Sequence, residues 1–474
     1  MTKTLYEQLH SYGESDYYPY HMPGHKRRSL GSVPESVLKA DITEIDGFDN
    51  LHQPEDILDD LQKQAARLYG AEESFYLING STCGILSAIS AVLPENGHLL
   101  MVRGCHKSVY HAAFLRKLEL SYLYPTQVAE FDFQEAMTAE QVKYVLEEKK
   151  DIGAVLIVSP TYEGRIADVR EIAKVVHEKG IPLIVDEAHG AHLGFADGFA
   201  QNSCRQGADI VIHSVHKTLP AMTQTALLHV NGELVDRNRL RRFLHIYQTS
   251  SPSYVLMASI SDAMQIIDKQ GVELFATFRK RYLNMCEKLK QCRNLCFVSD
   301  NDIVSGMQDV GKLVISTRRT DVSGQWLYDR HRETYHLQCE MAAGSYCLAM
   351  FTVADTEEAY QRMINALLEI DKALTTRADY EKIAVAENFI QPVIKFSLTE
   401  GWEREYELTE IAKAVDQPVA DFINLYPPGI PLLVPGEILT QDLYKRISTY
   451  QEQKLNVQGL IKQDDKYLIP TIKQ

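Results

Sequence analysis

One lysine of the sequence stands where a reactive amine is useful. Lys217 follows the apolar run Ile210–His213 and lies among small polar residues. Ligands of open α/β sheets bind at the carboxyl ends of strands. A lysine at such a place can form an imine with an aldehyde cofactor when a desolvated site lowers its pKa. Taken alone, the motif is better explained as a solvated surface lysine.

A carboxylate ends another apolar run, Leu183–Asp186, upstream of Lys217. Asp186 could keep a pyridinium nitrogen protonated, which is the condition that makes pyridoxal phosphate an electron sink. The letters Asp-Glu-Ala-His that start at Asp186 also resemble a helicase Walker B element, but the chain lacks the G-x-x-x-x-G-K-[ST] loop which that interpretation needs. Asp186, His189 and His192 could instead bind a metal. No further ligand motif accompanies them, so the cofactor interpretation is favoured.

A glycine turn could bind the phosphate of such a cofactor. The sequence from residue 75 to 84 predicts a strand that passes through Gly80 into the apolar helix Ile85–Leu93. The amides of Ser81 and Thr82 would then lie at a helix N-terminus, where free N–H groups and the helix dipole attract an anion. A plain N-cap serine is the alternative and is more common.

Three further polar residues follow strand ends and fit the same ligand. Ser214 and His216 could donate hydrogen bonds to the phosphate. His106 follows the predicted strand His98–Val102 and could lay its ring on the cofactor face, although a structural histidine would read the same way. Four strand ends that each supply a compatible group are harder to dismiss than any one of them.

The elements that must position these residues alternate between about residues 60 and 230. Short apolar runs and amphipathic stretches are typical of a mostly parallel sheet wrapped by helices, which is an α/β architecture. Ile166–Glu178 is predicted to be a helix. The predicted strands are Ser74–Ile78, His98–Val102, Ala154–Val158, Leu183–Asp186, Ile210–His213 and Ala226–Val230.

Beyond about residue 270 the pattern changes to that of a smaller α+β domain. Predicted helices are Phe275–Leu289 and Thr356–Thr375, and predicted strands lie near Lys312–Thr317 and Tyr346–Val353. The prolines of Leu425–Pro431 restrict φ and remove donors, so a fixed loop is expected there. The expected organisation is an N-terminal arm at 1–30, a large cofactor-binding domain at 31–270 and a C-terminal domain at 271–474.

Charge and composition exclude several classes of function. The formal charge of −15 opposes binding to nucleic acid or to an anionic membrane surface. No signal peptide or apolar run long enough to span a membrane is found, which predicts a cytoplasmic protein. The 8 cysteines contain no C-x-x-C pair, which argues against a zinc ribbon and against a thioredoxin-type motif.

Taken together, the motifs closely resemble those of the prokaryotic ornithine/lysine/arginine decarboxylases. The resemblance spans nearly the whole chain and rests on Gly80-Ser81-Thr82, His106-Lys107-Ser108, Asp186-Glu187-Ala188-His189, Ser214-Val215-His216-Lys217, His21-Met22-Pro23-Gly24-His25-Lys26 and Tyr426-Pro427-Pro428-Gly429. It implies pyridoxal 5'-phosphate and the aspartate-aminotransferase-like fold, fold type I.

The resemblance also implies a role for each site residue. Lys217 carries the cofactor, Asp186 pairs with its ring nitrogen and His106 stacks on the ring. His189 lies near the ring oxygen or the substrate carboxylate. The phosphate ligands would be Gly80, Ser81, Thr82, Ser214 and His216.

The expected reaction is decarboxylation of lysine, arginine or ornithine to the corresponding diamine or polyamine. Glu437 is a candidate partner for the distal cation of the substrate, with a solvated loop residue as the alternative. Thr249 and Ser250 resemble a segment that reaches the neighbouring subunit's phosphate in a homodimer or a higher homo-oligomer. The sequence starts directly at the arm, without the wing domain of the long enterobacterial members, so a dimer or tetramer is expected. An aminotransferase, an aldolase/lyase and a catalytically silent binding protein of the same fold remain as alternatives.

Overall fold

The computed structural model describes residues 4–128, 131, 133–298, 300–377, 390–426, 429–464 and 466–473. The chain divides into two compact units. The first comprises Met1–Pro94, Gly153–Ser159 and Asp168–Thr277, and the second comprises Glu95–Ile152, Pro160–Ala167 and Phe278–Gln474. The domain boundaries predicted at residues 30 and 270 stay predictions.

Helices and strands are numbered in chain order. The α-helices are α1 Leu5–Gly13, α2 Glu35–Ala40, α3 Ile57–Tyr69, α4 Gly80–Val92, α5 Lys107–Leu115, α6 Ala139–Glu148, α7 Val169–His177, α8 Val215–Thr218, α9 Arg237–Tyr247, α10 Tyr254–Leu289, α11 Asp300–Val304, α12 Gly324–Tyr335, α13 Glu357–Ala373, α14 Leu398–Glu403 and α15 Gln441–Glu452. The strands are β1 Glu73–Leu77, β2 His98–Val102, β3 Glu119–Leu123, β4 Gln127–Val128, β5 Phe133–Gln134, β6 Ala154–Val158, β7 Leu183–Asp186, β8 Ile210–His213, β9 Ala226–Val230, β10 Cys296–Phe297, β11 Lys312–Ser316, β12 Met341–Ala342, β13 Tyr346–Met350, β14 Val393–Ile394, β15 Tyr406–Glu410, β16 Ile423–Leu425, β17 Ile430–Leu433, β18 Glu437–Ile438, β19 Val457–Gln458, β20 Ile461–Gln463 and β21 Lys466–Ile472.

The first unit contains a sheet with the strand order β1-β9-β8-β7-β6. Strands β6, β7 and β8 are parallel, whereas β9 runs antiparallel to both β8 and β1. Every residue of β7, β8 and β9 is buried. A strand buried on both faces needs a continuous apolar run, and this is the pattern that the sequence shows. The predicted α/β fold class is confirmed.

Helix α4 packs closely on this sheet because it carries a glycine at the contact. A Cβ atom at Gly84 would lie 2.7 Å from Cδ1 of Leu77 and 3.1 Å from Cγ2 of Ile212. The helix follows β1 after a short turn. Its N-terminus therefore lies beside the carboxyl end of β1, which runs in the same direction as β7 and β8.

Most predicted elements of this unit are confirmed with small shifts. The strand predicted at Ser74–Ile78 is Glu73–Leu77, and the helix predicted at Ile166–Glu178 is Val169–His177, which begins after the N-cap Asp168. The helix predicted at Phe275–Leu289 is much longer, since α10 starts at Tyr254. Nothing at the start of α10 breaks a helix, and most of its apolar residues are buried, although Val272 is 73% exposed.

The second unit contains the parallel pair β2–β3 and an antiparallel sheet with the order β10-β11-β13-β12. Smaller antiparallel sheets follow near the C-terminus, with the orders β17-β16-β19, β15-β21-β20 and β14-β18. They enclose a hydrophobic cluster that includes Ile423, Leu433, Ile447 and Ile469. The α+β class predicted for the C-terminal region is confirmed.

The loop expected at Leu425–Pro431 is a hairpin in part. Strand β17 includes Pro431 and lies at the edge of its sheet, where the missing N–H of proline is tolerated. Pro427 and Pro428 lie outside the described residues. Among the helices of the described residues, none is long and apolar enough to cross a membrane.

Candidate active site

Two parallel strands bring an amine and an imidazole together. Lys217 lies in the short helix α8, directly after β8, and His189 follows the neighbouring strand β7. The Nζ atom of Lys217 lies 3.1 Å from Nε2 of His189. This distance permits direct proton transfer between the two side chains.

Asp186 is the last residue of β7 and is buried. Its Oδ1 atom accepts the Ala188 N–H at 3.2 Å. Burial raises the pKa of the Asp186 carboxyl, while the nearby Lys217 charge and the Ala188 N–H lower it. A cation bound at this carboxylate would favour its ionised form. The geometry thus places an acid, an amine and an imidazole at two adjacent strand ends.

The N-terminus of α4 supplies a polar corner beside these groups. Gly80 is its first residue and has a φ of 73°, which L side chains rarely adopt. The preceding Asn79 makes no side-chain capping hydrogen bond to the helix. The hydroxyl of Ser214 donates to Oγ of Ser81 at 2.9 Å, and Thr82 is exposed. A helix N-terminus with added hydroxyl donors is suited to bind an anion.

His216 is anchored by its Nδ1 atom, which lies 2.8 Å from the carbonyl oxygen of Thr225. Because a carbonyl can only accept, Nδ1 carries the proton and a neutral ring presents Nε2 as an acceptor. Burial lowers the pKa of His216. The ring can therefore donate to a phosphate only after it gains a second proton, which a nearby anion would favour.

Thr249 lies at the same corner as Gly80. Its N–H donates to Oδ1 of Asn79 at 3.2 Å, and its carbonyl oxygen lies 2.8 Å from Nε2 of His52. Thr249 and Ser250 are exposed. The structure thus brings this segment next to the α4 N-terminus of the same chain.

His106 lies in the second unit, as the N-cap residue of α5. Its Nδ1 atom accepts the Ser108 N–H at 3.2 Å and lies 2.8 Å from Oγ of Ser108. These contacts fix the orientation of the ring at the start of the helix. The ring itself is exposed and can contact a ligand.

Glu437 also lies in the second unit, and it is not a solvated loop residue. It is 2% exposed, and its Oε2 atom accepts from Nη2 of Arg103 at 2.8 Å and from the Val434 N–H at 2.9 Å. Burial raises the pKa of this carboxyl and the Arg103 charge lowers it. Its Oε1 atom is buried without a hydrogen-bond partner among the described residues. The carboxylate thus already has one cationic partner, which the sequence did not predict.

Two residues at the α4 corner were missed by the sequence interpretation. The carbonyl oxygen of Gln224 accepts the Gly80 N–H at 3.0 Å, and its side chain donates to the carbonyl oxygen of Ile78. Asn79 ties Thr249 to the same turn. The asparagine directly before Gly80 was a usable signal, because such residues favour helix starts. Among the described residues, no group of three or more His, Cys, Asp or Glu side chains is arranged to hold a metal ion.

Two family models match the sequence. Orn/Lys/Arg decarboxylase, major domain, matches residues 3–392, and Orn/Lys/Arg decarboxylase, C-terminal domain, matches residues 384–459. The chain belongs to the Orn/Lys/Arg decarboxylase family. The similarity to this family expected from the motifs is confirmed, and so is the prediction that the protein is an amino-acid decarboxylase.

Similar proteins cover nearly the whole decarboxylase chain. The YaaO protein of Bacillus subtilis (strain 168) is 32% identical over 495 residues, which cover 100% of this chain and 99% of the relative. The arginine decarboxylase of Bacillus anthracis is 29% identical over 472 residues, which cover 96% and 94%. The solved lysine decarboxylase LdcF of Francisella novicida superposes with a TM-score of 0.85 at 16% identity and covers 99% of this chain and 81% of that chain. The last comparison confirms the expected fold.

Proposed function

We propose that this member of the family removes the α-carboxylate of a basic L-amino acid, using pyridoxal 5'-phosphate bound covalently to Lys217. The observation that carries the proposal is the meeting of Lys217, His189 and the buried Asp186 at the ends of β7 and β8. Each group has the chemistry that such a cofactor needs.

The residues fit the cofactor by charge and by hydrogen bonding. The uncapped N-terminus of α4 and the Ser81–Ser214 hydroxyl pair suit a phosphate. Asp186 would hold the ring nitrogen and its proton, and the exposed ring of His106 would stack on the cofactor. Gly80, Thr82, His216, Thr249 and Ser250 complete the proposed phosphate contacts.

The chain's own side chains would bind the substrate and move its protons. The Nζ atom of Lys217 would hold the cofactor, and His189 would take up or return a proton through its Nε2 contact with Lys217. The cofactor, when bound, supplies an electron sink for the electron pair left by the departing carboxylate. Lys217 or His189 would then give a proton to the substrate Cα. Because Asp186 is buried, water would not screen its charge from the ring nitrogen.

The proposed substrates are lysine, arginine and ornithine, and the products would be the corresponding polyamine or diamine. The family match supports this class of substrate. Glu437 stays a predicted contact for the distal cation, through its Oε1 atom. Since Oε2 is already bound to Arg103, a second cation at Glu437 would have to share the carboxylate.

A substrate panel tests this proposal. We expect kcat/KM to be far higher for at least one of lysine, arginine and ornithine than for its neutral isostere, norleucine for lysine and citrulline for arginine. A site that pairs a buried charge with the substrate rejects an isostere by a large factor, because the charge is left unpaired. Equal kcat/KM for a basic substrate and its isostere would refute recognition of a distal cation. Absence of CO2 release from every basic substrate in the presence of pyridoxal phosphate would refute the proposed reaction.

We further infer a homodimer or a higher homo-oligomer in which Thr249 and Ser250 act on the partner's phosphate. The contact of Thr249 with Asn79 of its own chain suits a self-contained site equally well, so the inference needs a direct test. Lys217→Ala protein would be mixed with a Thr249→Ala/Ser250→Ala protein under conditions of demonstrated subunit exchange. Partial recovery of activity in the mixture supports shared sites, and lack of recovery supports a site within one chain.

We infer a cytoplasmic location for the enzyme. The eight cysteines are all free thiols in the structure. Several buried free thiols in one chain are typical of a reducing compartment.

A further inference from the structure

A row of buried polar side chains crosses the sheet of the first unit. Asp186 and Ile212 are paired neighbours of parallel strands, so their side chains lie on the same face, which α4 covers at Ile212. Glu187 and His213 each follow by one residue. Their side chains therefore point to the opposite face of the sheet, away from the side chain of Asp186.

The row contains four side chains: Ser74 of β1, His229 of β9, His213 of β8, and Glu187, which directly follows β7. These four strands are neighbours in the sheet. Nε2 of His213 lies 2.8 Å from Oε1 of Glu187, and Nδ1 of His213 lies 3.0 Å from Nε2 of His229. Nδ1 of His229 lies 2.6 Å from Oγ of Ser74. Glu187 also accepts the N–H of Ser203 at 3.0 Å and the Ser203 hydroxyl. Both ring nitrogens of each of the two histidines thus have a hydrogen-bond partner.

The row is enclosed by other side chains rather than by solvent. Glu187 is 1% exposed, and His213 and His229 are fully buried. The ring of Tyr69, from α3, lies with its centroid 4.6 Å from the rings of both histidines. The titratable groups around Glu187 and its partner His213 are His192, His229, Cys204 and Tyr69. Burial at this depth makes each unmade hydrogen bond costly.

The hydrogen bonds of the row can all run in the same direction, so that each side chain donates to the next one. Burial raises the pKa of Glu187 to about 8 and lowers the pKa of His213 to about 3. A protonated Glu187 donates to His213, which donates to His229, which donates to Ser74. Neutral imidazoles have one donor and one acceptor each, so this order leaves none of their ring nitrogens unpaired.

We propose that Glu187 and His213 are positioning residues, whose buried hydrogen bond holds the Asp186–His189 segment in register with the Ser214–Lys217 segment. Glu187 lies between Asp186 and His189 in the chain, and His213 directly precedes Ser214. A contact between Glu187 and His213 therefore ties the two segments that carry the acid, the imidazole and the amine. This inference rests on the proposed function of Lys217.

The physical reason is that the reaction rate depends steeply on the distances between the reacting groups that the two segments carry. A displacement of about 1 Å at a reacting group can lower a rate by about a hundredfold. The segments leave adjacent strands through turns, and the turn after Asp186 has no helix to hold it. On the opposite face, Glu187 fastens this turn to Ser203 and to β8.

The test compares Glu187→Ala with Asp371→Ala in the cofactor-loaded enzyme. Asp371 is a matched control, because it is a buried carboxylate of the second unit that accepts the N–H groups of Arg293, Asn294 and Leu295. Both changes strand buried donors and should lower Tm by similar amounts. The measurements are Tm, the dissociation rate of pyridoxal phosphate, and kcat and KM for the preferred substrate.

We expect Glu187→Ala to lower kcat by about tenfold to a hundredfold and to speed cofactor dissociation. Asp371→Ala should leave both quantities near the wild-type values at an equal loss of Tm. Glu187→Gln should restore most of kcat, because an amide can accept from Ser203 and donate to His213. If Glu187→Ala does not fold, His213→Gln serves instead, and a fall of several-fold in kcat is expected from the lost bond to His229.

Two kinds of failure can be told apart. A wild-type protein that binds no pyridoxal phosphate overturns the proposed function itself. A wild-type protein that binds the cofactor and turns over, with kcat and cofactor dissociation in Glu187→Ala or His213→Gln no more affected than in Asp371→Ala, overturns the positioning role alone.

Discussion

Asp186 and Glu187 are neighbours in the chain but lie on opposite faces of one sheet, with opposite surroundings. Asp186 accepts the Ala188 N–H, and the charge of Lys217 lies near it. Glu187 bonds to His213 and to both the N–H and the hydroxyl of Ser203. A buried carboxylate with few bonds within the protein can still bind the charge of a ligand. One that is saturated with protein partners stabilises the segment that carries it.

The C-terminal region offers a third buried carboxylate that sharpens the contrast. Glu437 is paired with Arg103 on one oxygen, and its other oxygen is unbonded among the described residues. It therefore stands between the two cases. The hydrogen bonds and ion pairs of a buried carboxylate determine whether it serves stability or substrate binding. Its position in the sequence does not reveal them.

The largest expected effect is at the amine that Asp186 faces. Lys217→Ala should abolish turnover and the borohydride-reducible attachment of the cofactor, because no other amine replaces the nucleophile. Circular dichroism should show an intact fold. The exposed Lys269→Ala is the control and should behave as wild type. Turnover of Lys217→Ala at the wild-type rate would end the central claim.

The next largest effect separates the two neighbouring carboxylates. Asp186→Asn should lower kcat by about a hundredfold to a thousandfold, since a neutral amide cannot hold a pyridinium proton. Glu187→Gln should lower it much less, because its hydrogen bonds can be remade. Steady-state kinetics at saturating cofactor measure both. Equal losses of kcat in the two variants would contradict a catalytic role for Asp186 and a positioning role for Glu187.

A smaller effect concerns the pH dependence of stability. The pKa of Glu187 is about 8 in the folded protein against 4.5 as its ordinary value. Between these values the folded protein holds a proton that the unfolded chain has lost, so its stability should fall as the pH rises. The free energy of unfolding of wild type, relative to Glu187→Gln, should drop by on the order of 3 kcal/mol between pH 5 and pH 8. Denaturant titrations at several pH values measure it, and a difference that stays constant between pH 5 and pH 8 would mean that Glu187 is ionised in the fold.

The smallest expected effect is at the N-terminus of α4, where the phosphate is proposed to bind. Ser214→Ala removes the hydroxyl that donates to Ser81 and should weaken pyridoxal phosphate binding by about 1 kcal/mol. Equilibrium binding followed by cofactor absorbance measures this change. Ser74→Ala, at the far end of the opposite row, is the matched serine control. A larger loss of affinity in Ser74→Ala than in Ser214→Ala would contradict the assignment of the two faces.

Much of the first unit could be predicted from the sequence, for a local reason. Strands β6 to β9 are almost wholly buried, so each is a mostly apolar run, and β7 and β8 end in the polar residues Asp186 and His213. The chemistry of Lys217 and Asp186 could be placed because parallel strands end at the same edge. The contact of Lys217 with His189 agrees with that reasoning.

The second unit shows where local reasoning stops. The pairing of Glu437 with Arg103 joins residues that lie far apart in the sequence, and no local pattern marks either as the other's partner. The hairpin around Pro431 depends on its place at the edge of a sheet, which is set by long-range pairing. The start of α10 at Tyr254 was missed because a buried helix shows weak periodicity.

The sequence by itself determined the buried strands of the first unit, the residues at their ends and the family, because these follow from local runs and motifs. The tertiary structure alone decided which face of the sheet Asp186 and Glu187 each occupy and which side chains they contact there. Strand register fixes this, since a shift by one residue moves a side chain to the opposite face. Asp186 and Glu187 differ by that single step, and their registers with β8 put Asp186 on the face that α4 covers at Ile212 and Glu187 beside the buried histidines.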